Sequence, residues 1–162
     1  MTPPGPDFHQ HAATVPAAEC RIAVIASRFN ELIVKRLLDG CTQALLSAGV
    51  PAGNITIVRV PGAFEIPVAA ARLARTGKVQ AVIALGVVIR GETAHFELVA
   101  GECARGLARV AIENEVPVIF GVLTTENAQQ AMDRSGADER NKGSESAAAA
   151  LDMIGVMRGL DA

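Results

Sequence analysis

The chain has 162 residues, half of them hydrophobic, and a formal net charge of -2. That length suits one domain, and the apolar content can supply an aliphatic core without disulfides or a structural metal. No basic stripe offers itself to nucleic acid, and the apolar run at 81–89 is far too short to span a bilayer, so neither a nucleic acid nor a membrane is expected as a partner.

Residues 1–19 contain Pro3, Pro4, Pro6 and Pro16 and no Lys or Arg. The segment lacks the basic and apolar regions of a secretory signal. It reads as a flexible N-terminal arm, with His9 and His11 solvated, ahead of a single domain over 20–162. Cys20, Cys41 and Cys103 are scattered without a CxxC pair. They read as reduced thiols of a cytoplasmic protein, with no metal site among them.

Beyond the arm, strand-like and helix-like segments alternate. Residues 21–26 (RIAVIA) form a short β-rich run. Residues 31–48 show helical spacing through Leu32, Val34, Leu37, Leu38, Cys41, Leu45 and Leu46, and Gly49 can close that helix. A second strand is expected over 54–60 (NITIVRV), bounded by Gly53 and the Pro61-Gly62 turn signal, then a helix over 64–75 ending near Gly77. Residues 79–89 are apolar except for Gln80, as suits a central strand covered on both faces. An amphipathic helix over 94–115 and a fourth strand over 117–123 follow. A short helix over 126–134, a polar loop over 135–141 and a last helix over 142–158 complete the chain. The last helix carries small residues from Ser146 to Ala150 that allow close packing. Strands alternating with helices imply βαβ units and right-handed crossovers. The expected architecture is α/β: a flavodoxin-like, three-layer α/β/α sandwich around a four-stranded parallel sheet.

In such a sheet ligands bind beyond the carboxyl ends of the strands. The segments there are Ser27-Arg28-Phe29-Asn30, Pro61-Gly62-Ala63-Phe64-Glu65, Arg90-Gly91-Glu92-Thr93-Ala94-His95 and Thr124-Thr125-Glu126-Asn127. Four of the five phenylalanines, Phe29, Phe64, Phe96 and Phe120, lie in or near them. Gly91-Glu92-Thr93 opens a helix with Thr93 as the expected N-cap, and such a turn suits a phosphate but is also an ordinary helix start. His95 can move protons near neutral pH, or simply pack. Glu65 can accept hydrogen bonds from ligand hydroxyls or serve its own helix N-terminus. Phe29 can stack on a planar ligand or join the core. Arg134 and Lys142 can meet a phosphate or stay solvated. No GxxxxGK[ST], GxGxxG, serine nucleophile elbow or HExxH is present, which removes the common nucleotide-loop, hydrolase and metalloprotease readings.

Taken together, these segments resemble the lumazine synthases. PGAFEIP at 61–67, ALGVVIRGETAHF at 84–96, GVLTTEN at 121–127 and NKG at 141–143 match that family's motifs in order, within a similarity running from about 21 to 158. The resemblance implies condensation of a ribitylamino-uracil with a dihydroxybutanone phosphate to give dimethyl-ribityllumazine, phosphate and water, with no metal and no cofactor. It implies that Phe29 stacks on the uracil ring and that Ala63, Phe64 and Glu65 meet the ribityl chain. Val87, Val88 and Ile89 would line the ring pocket, while Gly91, Glu92 and Thr93 hold the phosphate with Arg134. His95 would transfer protons, and Phe120 and Lys142 would complete the pocket.

In the family, the residues matching Phe120, Arg134 and Lys142 come from a neighbouring subunit. A homopentamer is therefore implied, and the short loop between Arg134 and Lys142 favours the hollow icosahedral shell of twelve pentamers that some members form. Gly101 departs from the Asn common in the family and, within a helix, should cost about 1 kcal/mol relative to Ala. Two competing readings are a flavin-binding shell protein without turnover and a related riboflavin synthase of the same fold. The presence of His95, Arg134 and Glu65 argues against the first, and the GETAHF segment against the second.

Overall fold

A computed structural model describes residues 14–162. Four strands, β1 (Ile22–Ser27), β2 (Ile55–Val60), β3 (Ala81–Ile89) and β4 (Val118–Thr125), form one sheet in the order β2-β1-β3-β4. Every pairing is parallel. The five α-helices are α1 (Glu31–Ser47), α2 (Ile66–Ala74), α3 (His95–Asn114), α4 (Ala128–Asp133) and α5 (Lys142–Asp161). The expected three-layer α/β/α sandwich is thus the observed one.

Alternation along the two central strands divides the core. Ile22, Val24 and Ala26 of β1 and Ile83, Leu85 and Val87 of β3 pack with Ile33, Val34, Leu37 and Cys41 of α1 and Ala147, Ala150 and Ile154 of α5. Ala23 and Ile25 of β1 and Val82 and Ala84 of β3 face the other way, onto Ile66 and Ala70 of α2 and Cys103, Leu107 and Val110 of α3. Apolar residues on both sides of each central strand are the consequence of covering a parallel sheet twice. Burial pushes the Cys41 thiol up to about 12 and the Cys103 thiol up to about 11, so both stay protonated and inert at neutral pH.

Local signals set the ends of the elements. Gly49, at φ 100°, ends α1 with bonds from its own N–H to Leu46 O and from Val50 N–H to Leu45 O, a Schellman closure. Asn141 caps α5: its Oδ1 accepts from the N–H groups of Gly143 at 2.8 Å and Ser144 at 3.1 Å, while its amide donates to Arg36 O, Ser135 O and Gly136 O. The small residues of α5 pack inward within the subunit, with Ala147 and Ala150 fully buried. The helix expected over 64–75 is split into a 3-10 turn at Ala63–Glu65 and α2 proper, with Pro67 in the first turn of α2, where its missing N–H costs nothing.

Most of the expected arm, 1–13, lies outside the described residues. The rest of it is packed: Val15 and Ala17 lie against the α1/α5 side of the core, Asn54 Nδ2 donates to Ala18 O at 3.1 Å, and Arg158 pairs with Glu19 at 3.0 Å. Packing against the domain therefore starts before residue 20, because these apolar side chains find a place beside the sheet.

Candidate functional site

The chain leaves β1 and β3 toward opposite layers, since α1 covers one face and α3 the other. A crevice opens at that divergence. The last pair between β1 and β3 is Ala26 with Leu85, so the end of β3 runs on beside β4 alone, up to the pair of Ile89 with Thr125. A cleft of about 660 Å³ lies there, lined by Phe29, Asn30, Gly62, Ala63, Phe64, Glu65, Val87, Val88, Ile89, Gly91, Thr93, His95, Phe96, Leu98 and Val99.

Backbone bonds bring its first wall together. Arg28 N–H donates to Val60 O at 2.8 Å and Phe29 N–H to Pro61 O at 3.0 Å, so the loop after β1 is zipped to the loop after β2. Phe29 is 71 % exposed and Phe64 is 59 % exposed, which places both rings at the surface of the cleft rather than in the core. Asn30 stands in the left-handed region at φ 58° and spends its side chain not on capping α1 but on a 3.2 Å bond from Nδ2 to Val87 O. The loop that carries Phe29 is thereby tied to the cleft floor. A Cβ on Gly62 would sit 3.1 Å from Glu65 Oε2, so glycine leaves room for that carboxylate to fold back over the turn.

The second wall is the start of α3. The N-cap is Ala94 rather than the expected Thr93, and no side chain caps this end. Thr93 Oγ1 lies 3.4 Å from His95 N, a long contact that leaves the hydroxyl available to a ligand. His95 is exposed at the first position of the helix. Leu98 and Val99 follow it onto the cleft at i+3 and i+4, one face of the helix, and Phe96 lines the cleft beside it. Arg90, between β3 and this turn, donates from Nε to Glu126 Oε2 at 2.8 Å and from Nη1 to Glu97, and its guanidinium carbon lies 4.3 Å from the Phe96 ring centroid. The Arg90 guanidinium holds the Glu97 carboxyl below the ordinary carboxylate range, and Glu97, then Glu126, raise the pKa of Arg90 in return.

Ten of the expected residues line this one cleft: Phe29, Ala63, Phe64, Glu65, Val87, Val88, Ile89, Gly91, Thr93 and His95. Glu92, Phe120, Arg134 and Lys142 do not. Phe120 is the third residue of β4, opposite Ala84, on an edge strand and 46 % exposed. Arg134 follows α4 and donates to Gln130 O at 3.0 Å, while Lys142 pairs with Glu145 at 2.7 Å. Asn30, Gly62 and Phe96, which stood in or beside the strand-end segments without an assigned role, also line the cleft, as do Leu98 and Val99, which were not singled out. The helical spacing from His95 was the signal for Leu98 and Val99, and adjacency to Phe29, Ala63 and His95 for the others. Among the described residues no cluster of His, Cys, Asp or Glu could hold a metal ion.

The fold and the cleft define an α/β protein with a crevice beyond its sheet, bounded by exposed phenylalanines and by a helix start bearing a histidine. A sequence model described as 6,7-dimethyl-8-ribityllumazine synthase matches residues 19–158. A protein of Edwardsiella ictaluri (strain 93-146) named 6,7-dimethyl-8-ribityllumazine synthase is 54 % identical over 149 residues, covering 91 % of this chain and 96 % of that protein. The chain belongs to the 6,7-dimethyl-8-ribityllumazine synthase family. It is a transferase and carries out the condensation step of riboflavin biosynthesis for which the family is named.

Proposed function

We propose that the cleft between the ends of β1 and β3 is where this condensation takes place, with 5-amino-6-ribitylaminouracil and 3,4-dihydroxy-2-butanone 4-phosphate as its two substrates. The carrying observation is that Phe29, Glu65, Gly91, Thr93 and His95 line a single cleft although they come from three separate loops. Phe29 stacks on the uracil, Glu65 accepts from ribityl hydroxyls, and Val87, Val88 and Ile89 form the pocket for the ring. Gly91 and Thr93, with Glu92 in the same turn, hold the phosphate. The uracil amine attacks the ketone and water leaves as the imine forms. Phosphate then departs by elimination, and the ribityl-bearing nitrogen closes the ring on the second carbonyl with loss of another water. His95 carries protons between these steps. Holding both partners in one orientation supplies a large part of the rate. His95→Ala should therefore slow turnover, measured by lumazine absorbance with both substrates, by about 10²–10⁴-fold, toward the lower end. An unchanged single-turnover rate would refute the role.

The second element of the proposal is assembly. Phe120, Arg134 and Lys142 lie outside the cleft of their own subunit, and Phe29 at 71 % exposure leaves that cleft open on one side. A neighbouring copy that presents these three residues closes it, giving a homopentamer, and the short 134–142 loop favours twelve pentamers in a shell. The cytoplasm is the proposed location. Three cysteines that are buried and unpaired suit a reducing compartment, and among the described residues no helix is long and apolar enough to cross a membrane.

A further inference from the structure

The start of α3 forms one wall of the cleft without a side-chain cap. The bonds at this end are long: His95 N lies 3.4 Å from Thr93 Oγ1, and Leu98 N–H donates to Ala94 O at 3.3 Å. Yet His95 and the 91–93 turn both depend on where that start lies. One side chain reaches across it. Arg90 N–H is registered on the sheet by a 2.8 Å bond to Thr125 O, and its guanidinium then meets carboxylates on two different elements, Glu97 in the first turn of α3 and Glu126 beyond β4. The Glu126 end of this link is itself anchored, because Glu126 N–H donates to Gln130 Oε1 at 2.9 Å and Gln130 N–H to the capping Asn127 at 2.9 Å. The guanidinium carbon lies over the ring of Phe96, which lines the cleft next to His95.

We propose that Arg90 is a positioning residue for the reaction: shared between Glu97 and Glu126 and laid over Phe96, it fixes the first turn of α3, and so His95 and the phosphate-holding turn, against the end of β4. The proposal rests on the cleft reading given above. The side chains of Arg90, Glu97 and Glu126 are 38 %, 54 % and 61 % exposed, so ion pairs among them contribute little to the fold. Their geometric effect is separable from stability for that reason. Lysine would keep the charge but lose both the fork that serves two carboxylates and the guanidinium that lies over a ring.

Arg90→Gln, Arg90→Lys and His95→Ala test this in the assembled enzyme. Arg90→Gln is expected to lower kcat by about 10–100-fold, the scale of a small misplacement of the reacting groups. KM for the ribityl substrate should move by less than about twofold, since Phe29 and Glu65 lie on other loops and Val87, Val88 and Ile89 are held within β3, and Tm by no more than about 4 °C. Arg90→Lys should recover only part of the loss. Wild-type kcat in Arg90→Gln, full recovery in Arg90→Lys, or a joint rise of both KM values with a large fall in Tm would each overturn the proposal. If His95→Ala turns over normally, the cleft reading falls and this proposal with it. If His95→Ala is slow while Arg90→Gln is not, the Arg90 proposal alone falls.

Discussion

Ser27 closes β1 with a hydroxyl that has no hydrogen-bond partner among the described residues, and the residue is 1 % exposed. A Cβ built on Gly86 would lie 3.0 Å from that oxygen and 3.3 Å from Ile66 Cδ1, so the hydroxyl is wedged between β3 and α2. An unpaired buried hydroxyl carries a desolvation penalty of about 1–3 kcal/mol. Ser27→Ala removes it and leaves no cavity of consequence. The variant is expected to gain about 1 kcal/mol and to melt about 2–4 °C higher in thermal unfolding. A lower Tm would show that the oxygen does have a partner. The same position illustrates why glycine is required at 86: any side chain there meets both Ser27 and α2.

At the scale of elements, two helix glycines make opposite predictions. A Cβ on Gly143 would fall 1.9 Å from the backbone oxygen of Leu37, so α5 crosses α1 there with nothing but hydrogen between them. Gly143→Ala must push the helices apart at a cost of about 2–3 kcal/mol, a fall in Tm of about 4–12 °C. A Cβ on Gly101 meets only the guanidinium tip of Arg105, at 3.1 Å, which can swing away. Gly101→Ala should gain about 1 kcal/mol from helix propensity. Calorimetry on the two variants should show shifts of opposite sign, and shifts of the same sign would contradict this account.

These glycines also mark what the sequence could and could not disclose. The apolar run of β3 and the helical spacing of α1 announce themselves because period and burial are local. The loop residues after β1, β2 and β3 were legible as a site because parallel sheets bind at those ends. Thr93 was misread as the cap because the chain turns into α3 one residue later, at Ala94. Asn141 stood in the NKG motif and at the end of a polar loop, but its five bonds, which join α5, α1 and the 135–136 backbone, were not legible, since its partner Arg36 is more than a hundred residues away. The packing of Val15 and Ala17 was hidden for the same reason: nothing in a proline-rich stretch tells where its few apolar side chains will find a surface.

For the molecule as a whole, the question is whether one subunit holds a complete site. His95 lies on the cleft, whereas Arg134 follows α4 outside it. If the site is shared head to tail around a ring, each cleft takes His95 from one subunit and Arg134 from the next. Homo-oligomers of His95→Ala and of Arg134→Ala should then both be impaired, the second chiefly through a raised KM for the phosphate substrate. Co-assembling the two variants in equal amounts changes that. An interface where an Arg134→Ala subunit donates His95 and a His95→Ala subunit donates Arg134 is intact on both sides. Random mixing produces such an interface in about a quarter of the positions of a ring. Turnover of the mixed oligomers, measured at substrate levels that saturate the wild-type enzyme but not Arg134→Ala, should recover to about that fraction of wild type. A site contained within one subunit gives no recovery, since every subunit then carries one lesion or the other. Mixing that leaves activity at the level of the separate variants, with light scattering confirming that mixed oligomers formed, would place Arg134 elsewhere and leave its charge to the surface.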